Sequence, residues 1–412
     1  MNDTSEIKKP ELLAPAGDLE KLKIAFMYGA DAVYAGVPEF GMRVKEIGFD
    51  MDSLAEGIEF AHQLGKKVYV TVNIFAKNAD IELLPQFLHK LEKIKPDALI
   101  VADPGVMGII EDEKIKIPIH ISTQANIVNW RAVQWWVEKM NFERVILARE
   151  LHWTEIREIK DRLPKIDLEI FVHGAMCMSY SGRCNISNYL TLRDANQGDC
   201  SHCCRWNYKV YVEEQTRPGE LMAVEEDDRG SYFFNSKDLC LIGMLDEVIK
   251  TGVMSLKIEG RNKSIYYLAQ VVGQYRLAID DYFADKKRYK DNIENYISEL
   301  NAATSRGYTT AFFGKDGSNM VNLDFQRQEK QKQFVGLVLG EVGERTQIEA
   351  RNQIKVGDKL DLYTVNGVQE IRIDEFLHED GSKMGDVVNT NTIFYVKTNQ
   401  WPKYSMIRKI IG

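Results

Sequence analysis

MDSLAEGIEFAHQLGKKVYVTVN, residues 51–73, sets a helical pattern against a strand with little between them. Residues 51–65 carry apolar side chains at helical spacing and stop at a glycine, and KVYVTVN (67–73) is a short β-branched and aromatic run. The same unit recurs on both sides of this stretch. Upstream, ELLAPAG (11–17) reads as a strand, DLEKLKIAFMYG as a helix capped by Asp18, and DAVYAG (31–36) as a second strand. Downstream, strands are expected at ALIVAD (98–103), IHISTQ (119–124), RVILARE (144–150), IDLEIFVHG (166–174) and MSLKIEGR (254–261). Helical patterns separate them, including NWRAVQWWVEKM (129–140) and DLCLIGMLDEVIKTG, and a long helix begins near residue 263.

Eight strands that are mostly too apolar for one wet face fit a parallel sheet wrapped by helices. The count favours an α/β fold of the TIM-like (β/α)8 barrel class over an open doubly wound sheet. Neither GxGxxG nor GxxxxGK[ST] occurs in the early strands. The barrel is expected over 1–283 with a cysteine-rich segment at 175–235, followed by a helical connection at 284–328. Within 329–412 the texture changes to short alternating strands such as FVGLVLGEV, RTQIEA and TIFYVK, with a turn signal at Asn366-Gly367. That stretch reads as a small C-terminal all-β barrel suited to docking or substrate positioning.

The chain has 412 residues, 44% hydrophobic and 28% charged, and no run of 18 apolar residues. With the polar start MNDTSEIKKPE, this predicts a cytoplasmic protein without a membrane association. A net charge of −8 argues against broad non-specific nucleic-acid binding but leaves room for local basic patches, at KKRYK (286–290) or QRQEKQKQ (326–333).

In a barrel of this type, chemistry belongs at the C-terminal ends of the strands. Tyr34, Glu39, Asn73, Asp103, Gln124, Arg149, Glu150, Glu169, His173, Lys257, Glu259 and Arg261 stand at such ends. Five of the six cysteines, Cys177, Cys184, Cys200, Cys203 and Cys204, crowd into the loop after the seventh strand, and Cys240 stands apart as a core residue. Four soft thiolates suit tetrahedral zinc or an iron–sulfur cluster. The gap from Cys177 to Cys184 is wider than a zinc knuckle, which favours iron–sulfur. His202 is a further possible ligand. Cys–His catalysis would draw on Cys177 with His173 or His120, yet one nucleophile does not explain five cysteines. HExxH and GxSxG are absent.

The run Glu169–Cys177 (EIFVHGAMC), the GRCNIS that follows, ELLAPAGDLEKLKIAFMYGADAVYAG at 11–36, NQGDC…CRW at 196–206 and LKIEGR at 256–261 together resemble the U32 "peptidase" or collagenase-like family over nearly the whole chain. The resemblance implies a [4Fe-4S] cluster on Cys177, Cys184, Cys200 and Cys204, the last because family members keep a cysteine just before Arg-Trp. Members with the C-terminal domain are similar to bacterial tRNA-hydroxylation proteins. That implies 5-hydroxyuridine formation at the wobble position of tRNA, prephenate as co-substrate, and a family paralogue or electron donor as partner. On that reading Arg149, Lys257 and Arg261 hold a phosphate or dicarboxylate, Glu150, Glu169 and Glu259 orient those cations or move protons, and Tyr34, Tyr180 or Trp206 stacks on a base. A peptidase, another RNA or aromatic substrate, and a zinc-stabilised scaffold are the alternatives.

Overall fold

The structure is a computed structural model that describes residues 8–37, 40, 48–140, 142–177, 179–206, 210–213, 221–224, 236–302, 307–314, 331–398 and 401–411. Seven strands alternate with helices in the first part of the chain. They are β1 (Glu11–Pro15), β2 (Ala32–Ala35), β3 (Lys67–Val72), β4 (Ala98–Val101), β5 (Ile119–Ile121), β6 (Arg144–Ile146) and β7 (Asp167–Ala175). Between them run α1 (Leu19–Met27), α2 (Met51–Gln63), α3 (Asn78–Ile94), α4 (Pro104–Asp112), α5 (Trp130–Met140) and α6 (Trp153–Arg162). Local chemistry sets the helix starts. Asp18 accepts from the Lys21 N–H at 2.8 Å, Asp50 and Ser53 form a reciprocal capping box, and Asp103 caps α4 with Pro104 at its first position.

After β7 come α7 (Ile186–Thr191) and the antiparallel pair β8 (Val210–Glu213) and β9 (Leu221–Val224). Then follow β10 (Asp238–Cys240), α8 (Leu245–Lys250) and β11 (Ser255–Ile258). β11 pairs in parallel with both β1 and β7, so the eight parallel strands close into a barrel. Strand interiors such as Leu12–Ala14 and Leu99–Val101 are buried, as two-sided burial requires.

One expectation is corrected here. Asp238–Cys240 opens the predicted helix DLCLIGML but is a strand, antiparallel to β7 over residues 173–175 and parallel to β12 (Tyr308–Thr309). β6 pairs with β7 only as far as Glu169, so the tip of β7 has a free edge that β10 fills.

α9 (Ile265–Ala284) is buried on nearly every side, because the barrel lies on one flank and the C-terminal strands on another. α10 (Lys286–Asp291), which holds the KKRYK run, and α11 (Ile293–Asn301) pack beside it. Only the end of the QRQEKQKQ run falls among the described residues, and Glu39 falls outside them.

The C-terminal strands are β13 (Lys332–Val342), β14 (Arg345–Ala350), β15 (Ile354–Lys355), β16 (Leu360–Thr364), β17 (Gly367–Ile371), β18 (Val387–Val388), β19 (Ile393–Val396) and β20 (Met406–Ile410). Six form an antiparallel sheet in the order β17-β16-β20-β13-β14-β19 around a second core containing Val338, Ile348, Phe394 and Ile407. The sheet is fastened to the barrel by buried polar contacts. Arg408 is fully buried, pairs with both oxygens of Asp361 at 2.6 and 2.9 Å, and reaches Glu299 of α11 at 2.7 Å. The Tyr28 hydroxyl donates to Tyr363 O at 2.9 Å, and the Tyr266 ring stacks on Phe334. Among the described residues no helix is long and apolar enough to cross a membrane.

Candidate active site

The barrel has a charged floor. Glu169 on β7 is fully buried and meets Lys257 Nζ of β11 at 2.8 Å and Arg144 Nη1 at 3.5 Å. Arg144 also meets Glu11 at 2.6 Å, and the Tyr69 hydroxyl and Ser255 Oγ donate to the same carboxylate. Burial pushes the Glu169 carboxyl up, but Lys257 and Arg144 more than offset it and hold it below the usual range. Burial draws Lys257 below the ordinary lysine value, against the pull of Glu169. His120, edge-on to the Tyr69 ring at 4.7 Å, is lowered to about 3 by burial and by Arg144, so it is a neutral floor residue.

Above the floor lies a cavity of about 590 Å³ at the C-terminal ends of the strands, roofed by the cysteine loop. Its lining includes the cations Arg149, Arg193, Arg205, Lys257, Arg261 and Lys263 and the carboxylates Asp199, Asp238 and Glu259. Aromatic faces hold two of the cations apart. The Arg149 guanidinium lies 3.8 Å from the Phe171 ring centre, and Lys257 Nζ sits 4.4 Å from the Tyr34 ring and 5.5 Å from Phe171. Arg261 donates to Thr71 Oγ1 at 3.1 Å. Its backbone carbonyl passes so close to Gly17 that a Cβ there would lie 2.2 Å from it, so this turn requires a glycine.

The roof is tied to the strand ends at several points. Glu150 after β6 accepts from the backbone N–H of Ser181 at 2.8 Å and from its hydroxyl. Gly182, at φ +72°, lies against Gln124, where a Cβ would stand 2.1 Å from the Gln124 carbonyl oxygen. Asn196 donates to Cys184 O at 2.8 Å, its own carbonyl accepts from Phe75 N, and the Gln197 amide donates to Phe75 O.

Cys177, Cys184, Cys200 and Cys204 all line this cavity. Cys203 is 2% exposed and is not part of the lining, although the two neighbours are equivalent in sequence. The Cys177 thiol hydrogen-bonds to Cys184. That bond, with burial, raises Cys177, whereas it lowers Cys184 to about 5, helped by Ser179 and the backbone N–H groups of Ser187 and Ile186. Burial raises Cys204, and Cys240 is pushed up to about 11 in the core. Among the described residues no three His, Cys, Asp or Glu side chains converge as a single metal ion requires. The donor set is four soft thiols lining one cavity, which suits either zinc or an iron–sulfur group.

Of the residues expected at the site, Tyr34, Asn73, Gln124, Arg149, Tyr180, Lys257, Glu259 and Arg261 join the four cysteines in the lining. Glu169 lies below as the counter-charge of Lys257, and Glu150 serves the roof. Asp103 caps α4, and Trp206 is half-exposed outside the lining. His173 is corrected furthest. A bulge sets two steps of β7 against one of β11 at Lys257/Ile258, which turns His173 off the inward face that Phe171 occupies. Its ring is buried among Tyr267, Tyr275 and Tyr308, with neither nitrogen partnered among the described residues, and burial lowers it to about 4. Thr71, Ser122, Arg193, Arg205 and Lys263 line the cavity without having been singled out. Two-residue alternation from Asn73 points to Thr71, while the arginines sit on an irregular loop that has no period to read.

Residues 17–322 match Peptidase family U32, and residues 330–408 match the Peptidase family U32 C-terminal domain. The chain is 40% identical over 420 residues to tRNA hydroxylation protein P of Escherichia coli (strain K12), covering 91% of each chain. It is 43% identical over 359 residues to tRNA hydroxylation protein P1 of Bacillus subtilis (strain 168), covering 86% of this chain and 84% of that one. A 23S rRNA 5-hydroxycytidine synthase of Escherichia coli (strain K12) is 33% identical over 337 residues, covering 81% of this chain and 48% of that one. With the roof cysteines and the strand-end residues all inside the matched span, the chain belongs to peptidase family U32.

Proposed function

We propose that this chain is an iron–sulfur, tRNA-modifying enzyme that converts wobble uridine to 5-hydroxyuridine with prephenate as co-substrate. The observation that carries this reading is the sharing of one cavity by four thiols and a cationic wall. Relatives named for tRNA and rRNA hydroxylation support the RNA substrate.

Cys177, Cys184, Cys200 and Cys204 would hold a [4Fe-4S] cluster, which when bound supplies an electron-transfer centre beside the substrate. Arg149, Lys257 and Arg261 supply the positive charge that a dicarboxylate such as prephenate needs, and Arg149 and Lys257 lie against the rings of Phe171 and Tyr34. Tyr180, exposed at 67% on the roof, is positioned to stack on a base. Glu259, which accepts from the Ala175 N–H at 3.4 Å, is a carboxylate able to exchange a proton inside the cavity. The net change replaces C5–H with C5–OH, so the oxygen atom and the oxidising equivalents come from outside the chain: with water as oxygen source, two electrons and two protons leave for an acceptor, and with dioxygen, two electrons and two protons enter from a donor, a family paralogue or a separate protein, and water is released.

The family description also names a peptidase. Thiol proteolysis needs an imidazole within hydrogen-bond reach of the thiol. His120 and His173, the imidazoles expected to pair with Cys177, are both buried outside the cavity lining, whereas His202 lines it beside the cysteines, so it is the relatives named for RNA hydroxylation that favour hydroxylation.

The test is nucleoside mass spectrometry of bulk tRNA from a host lacking this gene, with and without the gene restored, alongside metal analysis of anaerobically purified protein. The expected result is loss and return of 5-hydroxyuridine derivatives and about four irons per chain. Unchanged tRNA, or one zinc without iron, would overturn the reading.

A further inference from the structure

Among the atoms of the cavity lining is a buried carbonyl oxygen that the described residues leave unsatisfied. Asn73 directly follows β3, is 9% exposed and lines the cavity. Its Nδ2 donates to Ser122 Oγ at 3.2 Å, and its Oδ1 has no hydrogen-bond partner among the described residues. Ser122 is itself held fast. It is 1% exposed, its Oγ also accepts from the Gln124 N–H at 3.2 Å, and its own N–H donates to Val101 O at 2.7 Å. The amide is therefore clamped from one side with its carbonyl oxygen left over. A buried acceptor without a donor is unfavourable, and a ligand N–H would recover that loss.

The neighbouring group narrows the ligand. Thr71, two residues earlier and also in the lining, accepts from the Arg261 guanidinium. An acceptor and a strong donor thus stand side by side on one wall. A carboxylate or phosphate suits Arg261 but sets acceptor against acceptor at Asn73 Oδ1. A ring edge carrying N–H beside C=O satisfies both.

We infer that Asn73 is the residue that reads the target base as uracil, its Oδ1 accepting the N3–H while Arg261 binds the adjacent ring carbonyl. Cytosine carries a lone pair at N3, so the same atom repels it. This assignment rests on the RNA substrate proposed above.

The holoprotein is titrated anaerobically with two RNA stem–loops that differ only in uridine or cytidine at one unpaired loop position. Wild type is expected to bind the uridine RNA roughly tenfold tighter or more. Asn73→Ala is expected to bind the two within about threefold of each other. Asn73→Asp, which keeps an acceptor that the Ser122 hydroxyl can hold, retains the preference. Iron content and melting temperature are recorded for each variant, and Ser122→Ala, which frees the amide without altering it, carries the test by a reduced preference if Asn73→Ala misfolds. A preference that persists in Asn73→Ala, or equal binding of both RNAs by wild type, overturns the inference and leaves the RNA reading standing. Wild type that binds neither RNA removes the RNA reading, and this inference with it.

Discussion

Lys257 Nζ lies 2.8 Å from Glu169 Oε1, with both side chains buried at the base of the cavity. The pair connects a ligand-facing cation to a framework that includes Arg144, Glu11 and Tyr69. Lys257 is therefore held charged and in place by groups that no ligand touches.

Removing Glu169 leaves two buried cations uncompensated. Glu169→Ala is expected to cost about 3–5 kcal/mol in denaturant unfolding, and Glu169→Leu combined with Lys257→Met to cost less than Glu169→Ala alone. Because the folded carboxyl titrates below its ordinary value, its stabilisation is complete above about pH 4.3 and disappears as pH falls through the folded pKa. The gap between wild type and Glu169→Ala should narrow in acid, and a gap independent of pH would refute the charge argument.

His173 gives the opposite pH signature. Its folded pKa of about 4 lies below the ordinary value near 6.5, so protons favour the unfolded chain as pH falls between those values. The loss amounts to about 3 kcal/mol by pH 4. His173→Phe is expected to flatten that limb of the stability curve, to match or exceed wild type at neutral pH, and to leave tRNA hydroxylation intact. Loss of hydroxylation in a well-folded His173→Phe protein would restore His173 to the chemistry.

Cys203 and Cys204 are adjacent in sequence and separated by burial. Cys204→Ser is expected to abolish the visible absorption of the anaerobic protein and most of its iron, whereas Cys203→Ser keeps both. Equal losses in the two variants would count against the assignment, as would activity that survives complete chelation of iron.

Gly182 is the point where the roof bears on the barrel. Gly182→Ala adds a Cβ that would meet the Gln124 carbonyl at 2.1 Å in a left-handed backbone. Reduced iron retention and faster proteolysis within 177–206 are expected, with a melting temperature for the barrel close to wild type. An intact roof by limited proteolysis would show that the contact relaxes at little cost.

The parallel strands were legible because burial on both faces leaves continuous apolar runs, as in ALIV at 98–101, each followed by a helical period. β10 was not, because a three-residue strand joined to LIGML has the same apolar density as a helix turn. The strand-end rule located Arg149, Lys257 and Arg261 correctly in the lining, since Lys257 projects from β11 itself and Arg149 and Arg261 stand three residues beyond β6 and β11. It failed at His173, because a bulge is set by the partner strand and leaves no trace in the β7 sequence. Periodicity is also silent about the roof. There the cysteines marked the segment, while Arg193 and Arg205 reach the cavity through an irregular path that only the folded loop defines.

Arg408 bears on how the two cores stay together. Its guanidinium is shared between Asp361 of β16 and Glu299 of α11, and Tyr28 is bonded to Tyr363. Lifting the C-terminal sheet off the barrel would part a fully buried cation from one of its two carboxylates, so the cost of an uncompensated buried charge opposes that separation.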